Sequence, residues 1–262
     1  GVACLGIEPT ASTAAVAKQL GISVLQEFFG EALGKRLASD GRQADLIIGN
    51  NVYAHVPDIN DFTMGLKVLL KPSGTVTLEF PHVKELIDYN QFDTVYHEHF
   101  SYLSLCTVER IFREAGLRIW DVETLPTHGG SLRVYGCHVE DTRVTTAAVE
   151  RLRNEEVRFG LETLGTYQRF QIQANKVKND LLSFLIEQKK SGKRVAAYGA
   201  AAKGNTLLNY AGVKSDLLPF ICDAALAKQG KYTPGSHIPI LPPNALSSEL
   251  WDFILVLPWN IV

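Results

Sequence analysis

Tyr96-His97-Glu98-His99-Phe100 puts ionisable side chains at four successive positions. Imidazole titrates near neutrality, so a histidine here can take a proton at physiological pH. Asn51-Val52-Tyr53-Ala54-His55 forms a second cluster, and His128 precedes Gly129-Gly130, where backbone can approach a ligand closely. A metal reading of Glu98 and His99 fails on spacing, because Tyr102 stands where an H-E-x-x-H motif needs its second histidine. Acid–base work by some of these groups therefore competes with a purely structural role for His97 and His99 in a hydrogen-bonded loop.

The elements that must position these residues alternate between strand and helix signals. Val2–Ile7, Ser23–Gln26, Ala44–Gly49 and Thr75–Phe80 read as strands. Ala11–Leu20, Glu31–Ser39 and Asn60–Leu70 read as helices between them, the last stopped by Lys71-Pro72-Ser73-Gly74. Such alternation implies βαβ units and a parallel sheet, and the apolar run Asp45-Leu46-Ile47-Ile48 predicts one covered on both faces. Thr107–Ala115 follows as a helix capped by Gly116, then Leu117–Leu125 and Ser131–Val139 as a hairpin at a sheet edge. Ala147 to Gly192 lacks proline and predicts one or two long helices. A second βαβ pattern begins near Arg194, with strands over Val195–Tyr198, Leu218–Asp223 and Trp251–Leu257. A small-residue turn, Gly199–Gly204, and a helix over Asn205–Ala211 lie within it.

In a doubly wound sheet the ligand sits beyond the carboxyl ends of the strands. Glu8 follows the first strand, where a carboxylate can accept both hydrogen bonds of a ribose diol. Phe28 and Phe29 follow the second and could pack on an adenine face or simply fill the core. Asn50 and Asn51 follow the third, with amides for a ligand's polar groups.

Bulk composition narrows the class. The chain has 262 residues, 46% hydrophobic and 21% charged, as a globular protein does. A net charge of -2 argues against a broad nucleic-acid surface. No apolar run approaches the roughly 18 residues of a membrane span, and no secretory leader opens the chain. Cys4, Cys106, Cys137 and Cys222 form no C-x-x-C pair. Cys4 and Cys222 sit in strand-like runs and read as buried hydrophobes, so a reduced, cytoplasmic protein is expected. Oligomeric state is not legible.

The runs Asn51 to Asp58 (NVYAHVPD), Tyr96 to Leu105 (YHEHFSYLSL) and Pro126 to Leu132 (PTHGGSL) resemble the sugar C-methyltransferases, which act on nucleotide-linked keto-deoxysugars. Ala197 to Asn209 (AYGAAAKGNTLLN) and Gly230 to Ile240 (GKYTPGSHIPI) are similar to that family's C-terminal domain. The resemblance implies an α/β protein: a class I methyltransferase domain over residues 1–145, a helical linker over 146–192, and a Rossmann-like nucleotide-sugar domain over 193–262. It implies S-adenosylmethionine as cofactor, held by Glu8, Phe28, Phe29, Asn50 and Asn51. The family's Y-x-E-H motif puts the base on His99, with Glu98, Tyr96 and His55 beside it in the reaction. His128, Lys203, Asn205 and Thr206 are the expected substrate contacts.

The family also carries an N-terminal zinc-binding domain, and a first strand with a glycine-rich loop that cradles the methionine half of the cofactor. Neither stands in this sequence, so zinc is expected only with that domain. Gly1 leads straight into an apolar run and the chain stops at Trp259-Asn260-Ile261-Val262, so both ends read as cut from a longer protein.

Two other functions compete. Gly199 to Gly204 opens a helix after a strand, and Asp223 ends the next strand roughly twenty residues later, which imitates a dinucleotide fingerprint. Against an NAD-dependent oxidoreductase, Ala201 replaces the middle glycine, and Lys203 is placed to meet phosphate as a point charge. A non-catalytic nucleotide-sugar-binding fragment is the third class.

Overall fold

The computed structural model describes residues 2–247 and 250–259. Gly1 and residues 260–262, on which the reading of cut ends partly rests, lie outside the described residues. The elements run β1 (Gly6–Ile7), α1 (Ala11–Gln19), β2 (Val24–Leu25), α2 (Glu31–Ser39), β3 (Ala44–Asn50), α3 (Ile59–Leu69) and β4 (Leu70–Pro81). Then come α4 (Val83–Asp88), α5 (Leu105–Glu114), β5 (Leu117–Leu125), β6 (Ser131–His138), α6 (Ala147–Phe159) and α7 (Leu164–Lys190). The last are β7 (Val195–Tyr198), α8 (Ala202–Ala211), β8 (Ile221–Cys222), β9 (Ile240–Leu241) and β10 (Phe253–Val256). No helix among the described residues is long and apolar enough to cross a membrane.

The chain divides into two compact units. The first holds residues 1–80, 100–125 and 132–156; the second holds 81–99, 126–131 and 157–262. In the first unit, β1 pairs with β2 in parallel, and a four-stranded sheet has the order β3-β4-β6-β5. β3 and β4 are parallel, in register from Leu46 opposite Thr75 to Asn50 opposite Glu79. Tyr53, Phe62, Phe80 and Phe112 form the aromatic centre of its core. Local capping sets the helix starts. The Asp58 carboxylate accepts the N–H groups of Asn60 and Asp61 to open α3, and the Ser104 hydroxyl accepts that of Thr107 to open α5. α2 and α3 touch backbone to backbone, since a Cβ on Gly34 would stand 2.7 Å from the Gly65 carbonyl oxygen.

The second unit has a four-stranded sheet, order β10-β7-β8-β9, parallel throughout. α7 and α8 contribute Leu185, Leu208 and Ala211 to the core packed against it.

Several expectations are corrected. Leu46 and Ile48 are 53% and 63% exposed, so β3 is not covered on both faces. β3 is an edge strand, and Ile47 is the member of its apolar run that packs on the core. Lys71-Pro72-Ser73-Gly74 is not a plain stop. α3 ends at Leu69, but β4 already starts at Leu70, and a register shift between Ala44 and Leu46 absorbs the proline-containing stretch. The strands expected over Val2–Ile7, Ser23–Gln26 and Leu218–Asp223 shrink to two residues each. Cys4 therefore precedes β1 and is exposed, whereas Cys222 is buried as expected. α8 begins at Ala202 rather than Asn205, which places Lys203 and Gly204 inside its first turn.

Candidate functional site

In the first unit the candidate residues follow the strand ends. The Glu8 N–H donates to the Leu25 carbonyl at 3.0 Å, and its Oε1 accepts the Thr10 N–H at 2.7 Å. Its carboxylate thus stands at the mouth of α1, whose N-cap side chain makes no capping bond of its own. Phe28 is 83% exposed. Phe29 instead packs edge-on against Phe62 at 5.1 Å and belongs to the core. The structure thus separates the pair: one ring stands in the open and the other joins the core.

Asn50 ends β3, and Asn51 turns the chain with φ 52°, a left-handed conformation that asparagine tolerates better than most residues. The Asn51 N–H donates to the Glu79 carbonyl at 2.8 Å. This turn delivers a single-turn 3-10 helix, Tyr53–His55. Tyr53 is buried, its phenol oxygen lies 2.7 Å from the Thr63 hydroxyl, and burial pushes its ionisation far up. It is therefore an anchor, and half-buried His55 follows it on a fixed backbone. The Ala54 carbonyl accepts the N–H groups of Phe100 at 2.9 Å and Ser101 at 3.2 Å. Glu79, buried at the end of β4, accepts from Arg133 at 2.7 Å.

In the second unit, residues 81–99 carry the histidine motif. The Gln91 amide donates to the Gly129 carbonyl at 2.6 Å, and the His82 N–H donates to that of Gly130 at 3.0 Å. Gly129 and Gly130 have φ of 88° and 119°, and a Cβ on either would meet Gln91 or Glu85 at 2.8 Å. That accounts for the glycine pair; His128 just before it is exposed and itself at φ 57°.

A single-turn helix, Phe92–Thr94, follows, with all three residues buried. The Thr94 carbonyl accepts the His99 Nδ1–H at 2.9 Å. A carbonyl can only accept, so Nδ1 carries the proton and Nε2 is the basic nitrogen. The Tyr96 ring stacks on the His99 ring at 4.5 Å with an interplanar angle of 29°. His97 and Glu98 are exposed. The Thr94 carbonyl is an orienting partner for His99 that no side chain of the motif marks.

On α8, Lys203 places Nζ 4.5 Å above the Trp259 ring. Nζ is buried and has no hydrogen-bond partner among the described residues. Burial lowers its proton affinity, partly countered by Asp93. Burial also raises the Asp93 carboxyl, against the opposing pull of the Trp259 indole N–H and Lys203. That N–H donates to Asp93 Oδ2 at 2.7 Å, while Oδ1 has no hydrogen-bond partner among the described residues. Asn205 Oδ1 is likewise buried without one, and the Thr206 hydroxyl donates to the Ala202 carbonyl at 3.1 Å. Asp223 is engaged through both oxygens: Oδ2 accepts from the Ala200 N–H and Lys228, and Oδ1 from the Ala225 N–H. Burial pushes this carboxyl up, but these bonds outweigh it and hold it below the usual carboxylate range. Sequence reading missed Asp93, Trp259 and Glu79, whose partners are remote in sequence.

A model described as the C-methyltransferase C-terminal domain matches residues 126–262, just over half of the chain. The chain belongs to this C-methyltransferase family. A second model, described as a methyltransferase domain, matches residues 1–122, in keeping with the α/β fold there. C-methyltransferase NovU of Streptomyces niveus is 35% identical over 260 residues, covering 99% of this chain and 62% of its own length. The chain thus spans less than two thirds of that relative. Among solved structures, the PH0226 protein from Pyrococcus horikoshii OT3 matches with a TM-score of 0.42 and 14% identity, over 53% of this chain and 72% of its own. A SAM-dependent methyltransferase from Anabaena variabilis ATCC 29413 matches at 0.41 and 15%, over 51% and 67%. Structural likeness this low decides nothing about the site.

Proposed function

We propose that the protein that carries this chain is a S-adenosylmethionine-dependent C-methyltransferase, and that its acceptor is a nucleotide-linked keto-deoxysugar. The observation that carries the reading is the set of His99: its Nδ1–H held by the Thr94 carbonyl and its ring stacked on Tyr96. An imidazole so held presents a defined basic nitrogen, as abstraction of a carbon-bound proton requires. The matches to the C-methyltransferase models and to NovU support the same class.

The residues present fit the cofactor. Glu8, at a strand end, has one oxygen on Thr10 and a second to offer a ribose hydroxyl. Exposed Phe28, rather than core-packed Phe29, takes the adenine face, and Asn50 and Asn51 offer amides at the next strand end. When bound, S-adenosylmethionine supplies an electrophilic methyl group. His99 Nε2 removes the proton from the carbon beside the sugar ketone, and Glu98 balances the imidazolium charge. His55 and Tyr96 donate to the enolate oxygen or to sugar hydroxyls. His128, Lys203, Asn205 and Thr206 bind the nucleotide-sugar, with the start of α8 toward its phosphates.

The domains follow as a methyltransferase domain over 1–145, a helical linker over 146–192 and a Rossmann-like domain over 193–262, in a cytoplasmic setting. The competing oxidoreductase reading loses support at Asp223, since its oxygens hold the turn rather than standing open to a ribose.

The test is His99→Asn in the full-length protein, following methyl transfer and exchange of the sugar C–H with solvent deuterium. Asparagine keeps a polar edge but is no base near neutrality. Turnover and exchange should both fall by about 10²–10⁴ with substrate binding kept. A folded variant with near-normal turnover removes His99 from the chemistry.

A further inference from the structure

We propose that Asp93 is a positioning residue for His99: held by Trp259, it fixes the Phe92–Thr94 turn whose carbonyl selects the imidazole tautomer. The proposal rests on His99 being the base, but its geometry lies wholly within the second unit. Asp93 is 6% exposed and sits between Phe92 and Thr94 in one tight turn. The turn is braced from two sides. Trp259 donates to Asp93 Oδ2, and the ring of Phe92 packs on Tyr210 of α8 at 5.3 Å. Tyr210 is itself tied to α7, hydrogen-bonded to Asn175 and accepting from Gln171 at 2.8 Å. Thr94 then closes the turn, its N–H and hydroxyl both donating to the Gln91 carbonyl at 3.0 and 2.8 Å. Its own carbonyl is left to receive the N–H of Tyr96 at 3.1 Å and the ring of His99 at 2.9 Å. Both residues of the stacked Tyr96–His99 pair thus hang on one carbonyl.

This is a poor way to gain stability alone. A buried carboxylate with one oxygen unbonded, near an ammonium without a hydrogen bond, costs more desolvation than apolar packing of the same volume. What polar anchoring adds is a fixed place for the turn. The aromatic cover of Trp259 over Lys203 keeps the cation where it attracts Asp93. Losing the anchor frees the turn to shift, and the Thr94 carbonyl with it. Imidazole then samples both tautomers, and the one with a protonated Nε2 is no base toward the sugar.

Nitrogen-15 histidine spectra, taken where imidazole is neutral, report the tautomer directly, with the His99 signal assigned by its loss in His99→Asn. The wild type should show a protonated Nδ1 and an unprotonated Nε2. Asp93→Ala should average the two nitrogens and lower kcat by about 10- to 100-fold, the worth of lost positioning, with both KM values unchanged. Asp93→Asn keeps an acceptor for the indole N–H and should restore the spectrum and most of kcat. Should Asp93→Ala fail to fold, Trp259→Phe removes the same donor while keeping a ring over Lys203, and should shift the His99 signal the same way. An unchanged His99 signal in folded Asp93→Ala or Trp259→Phe overturns the proposal, as does a raised sugar KM at constant kcat. A tautomer shift on Asp93→Ala in a protein that transfers no methyl group refutes the assigned reaction and leaves the positioning role standing.

Discussion

Replacing Glu156 should unfold the start of α5, the helix reached directly from the histidine loop. Glu156 is 1% exposed and lies on α6, yet its Oε1 accepts the Leu105 N–H at 2.6 Å and its Oε2 the Cys106 N–H at 2.9 Å. It caps a helix 51 residues earlier in sequence. Hydrogen bonds to a charged group contribute about 1.5–3 kcal/mol each, and the helix dipole adds to an anion there. Ser104 still caps Thr107, so Glu156→Ala should cost about 3 kcal/mol rather than the full sum. For a chain of this size that lowers Tm by about 6–12 °C, read by scanning calorimetry or circular dichroism. Glu156→Gln is the sharper variant. Its amide fills the same volume but offers one acceptor, and turns an NH2 group toward the second backbone N–H. If the charge and both lone-pair acceptors matter, glutamine is nearly as damaging as alanine. A glutamine variant within about 1 °C of the wild type would show that packing volume alone is needed and refute the capping account.

Two further outcomes follow from the packing. Gly34→Ala drives a Cβ onto the Gly65 backbone and should cost about 1–3 kcal/mol by overpacking the α2–α3 crossing; denaturant unfolding at unchanged stability would show that the helices can part. Burial and the neighbouring Glu156 push the Cys106 thiol up to about 12, so it stays protonated below that pH and should resist alkylation near pH 8 while exposed Cys4 reacts; mass spectrometry locating the label on Cys106 in the native state would refute this.

The sequence was legible where structure is set by neighbours. α2, α7, β5 and β7 follow from apolar periodicity and from the glycines and prolines that bound them. The left-handed turn at Asn51 does not, since Asn50 and Asn51 read only as amides for a ligand's polar groups. The apolar run of β3 misled because side-chain type does not reveal which face of a strand is left uncovered: Leu46 and Ile48 are exposed, while Ile47 between them packs on the core. Phe28 and Phe29 show the same limit at one position's resolution: the residue types suggest a ring beside a ligand, and only the backbone direction decides which ring joins the core.

The candidate site was legible as a set of residue types but not as a set of partners. His99, Tyr96 and Lys203 could be picked out because imidazole, phenol and ammonium groups near strand ends and turns suggest chemistry on their own. What holds them could not. Asp93 in a sequence is one acid among 28 acidic residues, and its meaning comes from Trp259, 166 residues further on. The same holds for the Thr94 carbonyl, since every residue has one and no side chain marks it. Residues 81–99 follow β4 in the chain but cluster with residues 157–262, so the histidine motif is organised by the C-terminal half rather than by the sheet that precedes it. Chain order therefore suggests which groups could react. The His99 Nδ1 bond to the Thr94 carbonyl spans five residues, whereas the Trp259–Asp93 bond beside that carbonyl spans 166.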